Sequence, residues 1–468
     1  MELDMTKGSP FKLILKFIYP VILGNLFQQL YNMADTIIVG RFVGLDALAA
    51  VGATGTIFFL ILGFMNGLTA GFTVIVAQKY GAGDRDGVKV ASLNAMILAA
   101  VTTVVVTLIA ALGMPGLLRI MHTPDDIFHM SYSYIIIIVE GLAFTVLYNI
   151  TASLLRAVGN SKTPLYFLIL SASLNIILDI VLIVPFGLGV RGAALATIIS
   201  QAVSGVLCVV YIFKKVKVLV PGKEQLHVDR QIMGNQVKIG LPMALQYSIT
   251  AVGTIMVQSA LNLFGSTVVA SYTASNKVTQ LITTPYGAMG VTMATYCAQN
   301  RGINDINRIR KGVKASMIMS AIFSLLIYAL SVPLLPVLLK LFVDTNGAVP
   351  FNDVLSYAKT YVYTAGSCYI PLGIIFIFRN AMQGCGFSLA AMTGGIVELV
   401  CRGILSVIAA HRMSFFGVCL GDPLTWLITA IFFTVMYILT VDHMDKSIKA
   451  YHARRKVEEE AGKTAKIR

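Results

Sequence analysis

Long apolar runs separated by short polar segments continue along the whole chain, from "FKLILKFIYPVILG" near its start to "LTWLITAIFFTVMYILT" near its end. Each run holds about the 20 residues that a helix needs to cross the hydrocarbon core of a membrane. The sequence lacks the alternation of outer-membrane strands, so helices are predicted to form the spans. The pattern predicts twelve spans, at residues 13–39, 47–78, 90–113, 130–155, 164–185, 190–213, 237–263, 267–298, 313–342, 355–382, 387–410 and 417–441.

The composition supports a membrane protein, and the charges predict its orientation. Of 468 residues, 57% are hydrophobic and 12% are charged, and the mean hydropathy is +0.79, far above the range of soluble domains. Most of the 36 Lys and Arg residues fall before the first span, in alternate inter-span segments and after the last span. Because cytoplasmic segments retain Lys and Arg, both termini are predicted to lie in the cytoplasm. The net charge of +14 then requires no nucleic-acid partner.

The two halves of the chain resemble each other when residue n is aligned with residue n+221. "AQKYGAGD" and "AQNRGIND" then coincide, and Gly44 matches Gly265. Six spans per half is an even number, so the repeat is parallel and its axis lies along the membrane normal. Two such bundles around a central cleft are typical of transporters that alternate between two open states.

The predicted fold is therefore all-α and integral to the membrane, with twelve transmembrane helices in two pseudo-symmetric six-helix bundles. The domain prediction is an N-terminal lobe at 1–213, a cytoplasmic linker at 214–236, a C-terminal lobe at 237–441 and a basic cytoplasmic tail at 442–468. Membrane lipid surrounds the lobes, and a monomer is expected.

Polar side chains at membrane depth are functional candidates because they are costly there. In the first span they form one stripe, spaced i, i+3, i+4, i+7: Gln28, Tyr31, Asn32 and Asp35. In the fifth span Asn175 and Asp179 share a face, and the sixth span carries Thr197. At about 1.5 Å per residue, Asp35, Asp179 and Thr197 lie roughly 8 to 11 Å from the outer boundary. Groups from three helices are thus predicted to meet at one level.

Two carboxylates close together in a medium of low dielectric constant do not both stay ionised without a partner. Carboxylate, amide and hydroxyl oxygens suit a proton or a hard cation such as Na⁺. Asp35, Asn175, Asp179 and Thr197 are therefore predicted to bind H⁺ or Na⁺. The alternative is that the two acids only hydrogen-bond helices together, although Asn, Ser or Thr would do so at lower cost.

Other polar residues inside the spans leave more than one interpretation. Glu398 and Arg402 are four residues apart and predict an ion pair within one helix, with either a structural or a gating role. Glu140 either faces the substrate or relays protons, or else is hydrogen-bonded in a structural role. Lys277 either repels or selects charged substrates or pairs with an acid of its own half. In the seventh span Gln246, Thr250 and Gln258 fall on one polar stripe that suits a wet cleft or helix packing. The substrate-cleft candidates are Gln28, Tyr31, Asn32, Glu140, Gln246, Thr250, Gln258 and Lys277.

Several stretches taken together resemble the multidrug and toxic compound extrusion (MATE) family. They are "YNMADTIIVGRFVGLDALAAVGAT", "AQKYGAGD", "LLRAVGNSKTPL", "LNIILDIVLI", "GVRGAALATIISQ" and "AQNRGIND". The resemblance implies export of cationic or amphipathic organic compounds driven by inward flow of Na⁺ or H⁺. In the branch with its cation site in the N-terminal lobe, the matching positions are Asp35, Asn175, Asp179 and Thr197. The acids that other branches carry on the seventh and tenth helices are absent here.

The sequence thus predicts a secondary active multidrug antiporter with no cofactor apart from its coupling ion, and not an enzyme. One alternative is a flippase for lipid-linked oligosaccharide, which would need a more cationic cleft than the few available basic residues provide. A second is an intramembrane lipid transferase, for which the adjacent acids Asp125 and Asp126 would have to hold a metal.

Overall fold

The computed structural model describes residues 3–121, 123–340 and 350–466, with residues 451–466 described by their backbone alone. The first half contains the helices α1 (Pro10–Phe42), α2 (Leu45–Gly81), α3 (Arg85–Ile120), α4 (Asp125–Glu140), α5 (Leu142–Ala157), α6 (Lys162–Ile183) and α7 (Gly189–Lys215). The second half contains α8 (Arg230–Leu261), α9 (Ser266–Gly302), α10 (Ile306–Leu339), α11 (Phe351–Gly366), α12 (Tyr369–Gly384), α13 (Ser388–His411) and α14 (Phe415–Lys466). Short 3-10 turns lie at Lys217–Leu219, Lys223–Gln225 and Asn262–Phe264.

A helix or a bent pair of helices lies at each predicted span, and the predicted fold class is confirmed. Two predicted single spans are each broken into two helices: α4 and α5 meet at 48°, and α11 and α12 meet at 50°. In the first pair the break falls at Gly141, where a Cβ atom would collide with the Ile198 side chain of α7. The absent side chain lets α7 approach the bend closely.

Within the described residues, nine helices are long and apolar enough to cross a membrane singly, and up to eleven spans result if each bent pair counts as one. Helix α9 has comparable length but is not among them, because Ser, Thr, Gln and Asn residues recur along it. The helix α14 continues to Lys466, so the predicted tail begins as helix. Residues 341 and 342 of the ninth predicted span lie outside the described residues, as do residues 467 and 468 of the tail.

The sequence repeat is accompanied by equivalent local structure in the two halves. Asp84 caps α3 by accepting a hydrogen bond from the Gly87 N–H at 2.8 Å, and its counterpart Asp305 caps α10 through the Arg308 N–H at 2.9 Å. The residues before these caps, Gly83 and Asn304, both have positive φ angles, of 74° and 57°. The same turn therefore connects the second and third spans of both halves.

The two halves pack tightly at one end of the bundle, which holds Pro10, Gly81 and Gly302 and is called the termini end below. There the Gln78 Nε2 donates to the Gly384 carbonyl at 2.9 Å, and the Gln299 Nε2 donates to the Ala157 carbonyl at 2.9 Å. Gln78 and Gln299 are repeat counterparts. The two lobes are therefore joined by a pair of symmetry-related side-chain hydrogen bonds.

Helices α2 and α8 pack closely in the second half of α2, well before its last residue, Gly81. Gly67 and Gly71 lie one turn apart on α2, directly against the backbone of Gly240 and Ala244 on α8. Such small residues allow backbones to pack at short range inside a membrane. At the termini end the N-terminal segment also contacts the second half of the chain. The Met5 N–H donates to the Gln299 Oε1 at 2.9 Å, and the Met5 side chain is fully buried.

Candidate functional site

The four residues predicted to bind a cation lie together in the first half of the chain. The carboxyl groups of Asp35 on α1 and Asp179 on α6 approach closely enough to share a proton. The Asn175 Nδ2, one turn before Asp179, donates to the Thr197 Oγ1 of α7 at 3.4 Å. All four side chains are buried. The structure thus brings together groups from three helices, near the helix ends opposite the termini end.

This cluster holds more hydrogen-bond acceptors than donors. Among the described residues, no donor reaches Oδ1 of Asp35, either carboxyl oxygen of Asp179, or Oδ1 of Asn175. Two ionised carboxylates cannot donate to each other, so their contact becomes a hydrogen bond only when a proton lies between them. Buried acceptors without donors are costly. A proton or a hard cation would satisfy them.

Two tyrosines complete the wall of the cluster. The Tyr31 phenol of α1 approaches the Thr197 hydroxyl, and the buried Tyr134 of α4 lies within electrostatic range of Asp35 and Asp179. Tyr31 was predicted to face the substrate cleft, whereas the structure places it next to the acids. Tyr134 had no signal in the sequence, since a single tyrosine in an apolar run is ordinarily a packing residue and only tertiary structure brings α4 to this position.

A cavity of about 380 Å³ lies between the two halves. Helices α2 and α5 line it from the first half, and α8, α9, α12, α13 and α14 line it from the second. Gln246 and Thr250, two of the substrate-cleft candidates, line this cavity. Arg156 and Arg379 line it too, although the sequence pattern had placed them with the cytoplasmic charges. The cleft therefore holds more basic side chains than predicted.

The other substrate-cleft candidates do not line this cavity: they are Gln28, Tyr31, Asn32, Glu140, Gln258 and Lys277. Apart from Tyr31, all of these are exposed at the surface of the chain. Glu140 lies at the end of α4, where the bend at Gly141 turns its side chain out of the packed interior. On α1, Gln28 and Asn32 are exposed while Tyr31 and Asp35 turn towards α6 and α7, so the polar stripe spans two environments.

The predicted ion pair on α13 belongs to a larger cluster. The NH2 group of Arg402 lies 3.1 Å from Oε1 of Glu398 and 3.2 Å from Oδ1 of Asp422 on α14. The Tyr361 hydroxyl of α11 donates to the other carboxyl oxygen of Asp422 at 3.3 Å. The sequence reasoning missed Asp422 because it lies close to the predicted start of the last span. One arginine is thus held by two carboxylates in a half-buried setting.

Replacing the central arginine of this cluster is expected to destabilise the protein. Arg402→Met leaves the carboxylates of Glu398 and Asp422 facing each other without a cation, which costs about 3 kcal/mol or more. The measurement is the thermal unfolding temperature in detergent. Adding Glu398→Gln and Asp422→Asn to the same variant is expected to recover most of the loss. If Arg402→Met unfolds at the wild-type temperature, the cluster has no structural role.

Two helical halves with a cavity between them are the architecture of membrane transporters. The fold and the site therefore define a multi-pass membrane transporter.

Comparisons with known proteins specify the family. The MatE family model matches residues 20–181 and 239–408. The probable multidrug resistance protein YoeA of Bacillus subtilis (strain 168) is 30% identical over 337 residues, which cover 70% of this chain and 73% of YoeA. The probable multidrug resistance protein YpnP of the same organism is 27% identical over 436 residues, or 91% of this chain and 94% of YpnP.

A crystal structure of MATE in complex with MaL6 has the same fold, with a TM-score of 0.89 at 22% identity, covering 95% of this chain and 99% of that one. The chain belongs to the MatE family of multidrug efflux transporters, as its sequence resemblance indicated.

Proposed function

We propose that this protein is a secondary active exporter of organic compounds that exchanges them for H⁺ or Na⁺ across the plasma membrane. The names of its relatives support export of drug-like compounds. The distribution of Lys and Arg supports cytoplasmic termini, and hence a cytoplasmic termini end. In this orientation the cavity is closed towards the cytoplasm by the contacts between Gln78, Gln299 and the opposite lobes. The protein works as a monomer in lipid, with no cofactor besides the coupling ion.

The observation that carries this proposal is the pair of buried acids whose oxygens lack donors. A cation arriving from outside binds between Asp35 and Asp179 and removes the repulsion between them. Their helices, α1 and α6, then pack more closely, and this change is transmitted to the cavity between the lobes. Coupling requires that the cation favours one conformational state over the other, and a site that closes around the ion meets this requirement.

Both coupling ions suit the geometry. A proton is shared between the two carboxyl groups, whereas Na⁺ takes oxygen ligands from Asp35, Asp179, the Asn175 amide and the Thr197 hydroxyl. All are hard oxygen ligands. The donor set therefore supports a proton or an alkali cation rather than a thiophilic metal.

The test is efflux from proteoliposomes under one imposed gradient at a time. We expect a pH gradient or a Na⁺ gradient to drive uphill movement of at least one compound from a panel of cationic, neutral and anionic dyes. Liposomes without protein, and proteoliposomes whose gradient has been collapsed by an ionophore, serve as controls. Dye movement that responds to neither gradient would contradict the antiport proposal.

The structure bears differently on the two alternatives. For a lipid transferase, Asp125 and Asp126 are exposed in the first turn of α4, and the described residues contain no group of three or more His, Cys, Asp or Glu placed to hold a metal ion. For a flippase, the argument from scarce basic residues was wrong, because Arg156 and Arg379 line the cavity. The same two residues also weigh against cationic compounds as the main substrates.

A further inference from the structure

Two arginines of the central cavity have no acidic partner. Among the described residues, no carboxylate lies within salt-bridge distance of Arg156 on α5 or Arg379 on α12. Arg402, the third arginine of the cavity, is held by Glu398 and Asp422. The three arginines thus face only two carboxylates, both bound to Arg402, so the group keeps a net positive charge. Arg156 and Arg379, one from each half of the chain, have no salt bridge of their own.

The side chains that accept hydrogen bonds directly from these arginines are neutral. Arg156 donates from NH2 to the Ser153 Oγ at 3.0 Å. With the Gln246 amide turned so that its oxygen faces Arg379, that oxygen accepts from Nε at 3.1 Å and from NH1 at 2.9 Å. Both guanidinium groups interact electrostatically with the Tyr247 phenol, and Arg379 also interacts with the Glu398 carboxylate, which is already bound to Arg402. Neutral groups orient a guanidinium but leave its charge in place, and an unpaired charge in such a setting is costly.

The walls beside the arginines are apolar and aromatic. The Arg379 guanidinium lies 4.7 Å from the centre of the Phe376 ring, and Phe59 and Trp426 also line the cavity. Guanidinium groups bind carboxylates and phosphates through paired hydrogen bonds, and aromatic side chains bind flat apolar bodies. The combination fits a compound with an aromatic body and an anionic group.

We propose that the central cavity binds amphipathic organic anions, whose carboxylate or phosphate group is held between Arg156 and Arg379. This inference rests on the proposed exporter function and names its substrate class. A volume of about 380 Å³ suits a drug-sized compound, since such pockets range from about 300 to 1,000 Å³. It is small for a lipid-linked oligosaccharide, so the ligand is a water-soluble anion.

Equilibrium dialysis of the purified full-length protein in detergent tests this class directly. The probes share a naphthalene body and differ in charge: 1-naphthaleneacetate, 1-naphthyl phosphate and 1-naphthylmethylammonium. At least one of the two anions is expected to bind about 10-fold more tightly than the cation, as a charged hydrogen bond would provide. The carboxylate and phosphate probes distinguish the two anionic groups. Preferential binding of the ammonium probe would overturn the proposal.

Substitutions then assign the binding to the two arginines. Arg156→Gln and Arg379→Gln are each expected to weaken binding of the preferred anion about 10-fold or more, without weakening binding of the ammonium probe. Arg156→Lys and Arg379→Lys keep the charge and lose only the paired hydrogen-bond geometry. They are expected to weaken anion binding less than the Gln variants do, and they provide the test if the Gln variants misfold. Arg119→Gln changes an exposed arginine outside the cavity and serves as the matched control.

Anion binding that is unchanged in both Gln variants would contradict the proposal. Binding of undecaprenyl diphosphate by a protein that binds neither naphthyl anion would also contradict it. Because binding is measured at equilibrium without a gradient, its failure is distinct from failure of ion-coupled export. A protein that binds the anions but moves them under no gradient would contradict the antiport proposal alone.

Discussion

Asp35→Asn and Asp179→Asn are each expected to abolish gradient-driven efflux while the protein still inserts and folds. An amide neither takes up a proton at this site nor supplies the charge that binds Na⁺. Each substitution removes one of two coupled carboxyl groups, so the remaining acid alone does not reproduce the response of the pair. The measurement is initial efflux rate in proteoliposomes at matched protein content.

The same variants separate a coupling role from a merely structural one. Carboxyl oxygens of Asp35 and Asp179 lack hydrogen-bond donors among the described residues, whereas an Asn side chain brings an NH₂ group to the same position. The unfolding temperature in detergent is therefore expected to stay the same or to rise. Asp125→Asn, which changes an exposed acid of the same half, is the control and should transport normally. Wild-type efflux in either variant would eliminate the acid pair as the coupling site.

The main features of the fold follow from the sequence because apolar runs and the depth of polar groups reflect the membrane itself. Twelve runs of sufficient length predict twelve spans, and a constant helical rise was enough to predict that Asp35, Asp179 and Thr197 reach one level. The bends of α4–α5 and α11–α12 were not predictable in this way. They interrupt apolar runs of uniform composition, and the break at Gly141 accommodates Ile198 from another helix.

The charges of the cavity were predicted less well than the acid pair. Arg156 and Arg379 lie within a few residues of the ends of α5 and α12, and the distribution of charge along the sequence does not distinguish a residue facing the cytoplasm from one facing a cavity. Long side chains extend well past their own Cα position, so a residue assigned to a boundary by sequence can reach a buried space. Asp422 was missed because it, too, lies near a predicted span boundary, close to the start of α14.

The placement of the two sites suggests how they are coupled. The acid pair lies in the first half near the end opposite the termini, and the cavity lies between the halves above the tightly packed termini end. An ion that rearranges α1 and α6 changes the shape of one lobe, and access to the cavity from the termini end changes only if the contact between lobes opens. The contact of α2 with α8 should therefore control which side the cavity faces.

Gly67→Leu is expected to lower transport by an order of magnitude or more by holding this contact open. A Cβ atom at Gly67 would lie 2.6 Å from the Cα and 2.7 Å from the backbone N of Ala244, so the two helices must separate. Overpacking typically costs about 1 to 3 kcal/mol, and each 1.4 kcal/mol changes a conformational equilibrium about tenfold. The closed termini end should become a minor state, and a transporter that cannot close one side cannot complete its cycle.

The measurement pairs transport with accessibility of the cavity. In a cysteine-free background, Ala298→Cys places a thiol at a buried position that lines the cavity near the termini end. Labelling by a membrane-impermeant maleimide from the termini side should rise when Gly67→Leu is added. Gly55→Leu is the matched control, because it lies on the same helix with no atom of another residue within 4 Å of its Cβ position. Normal transport in Gly67→Leu, with the thiol at 298 still protected, would show that α2 and α8 do not form the gate.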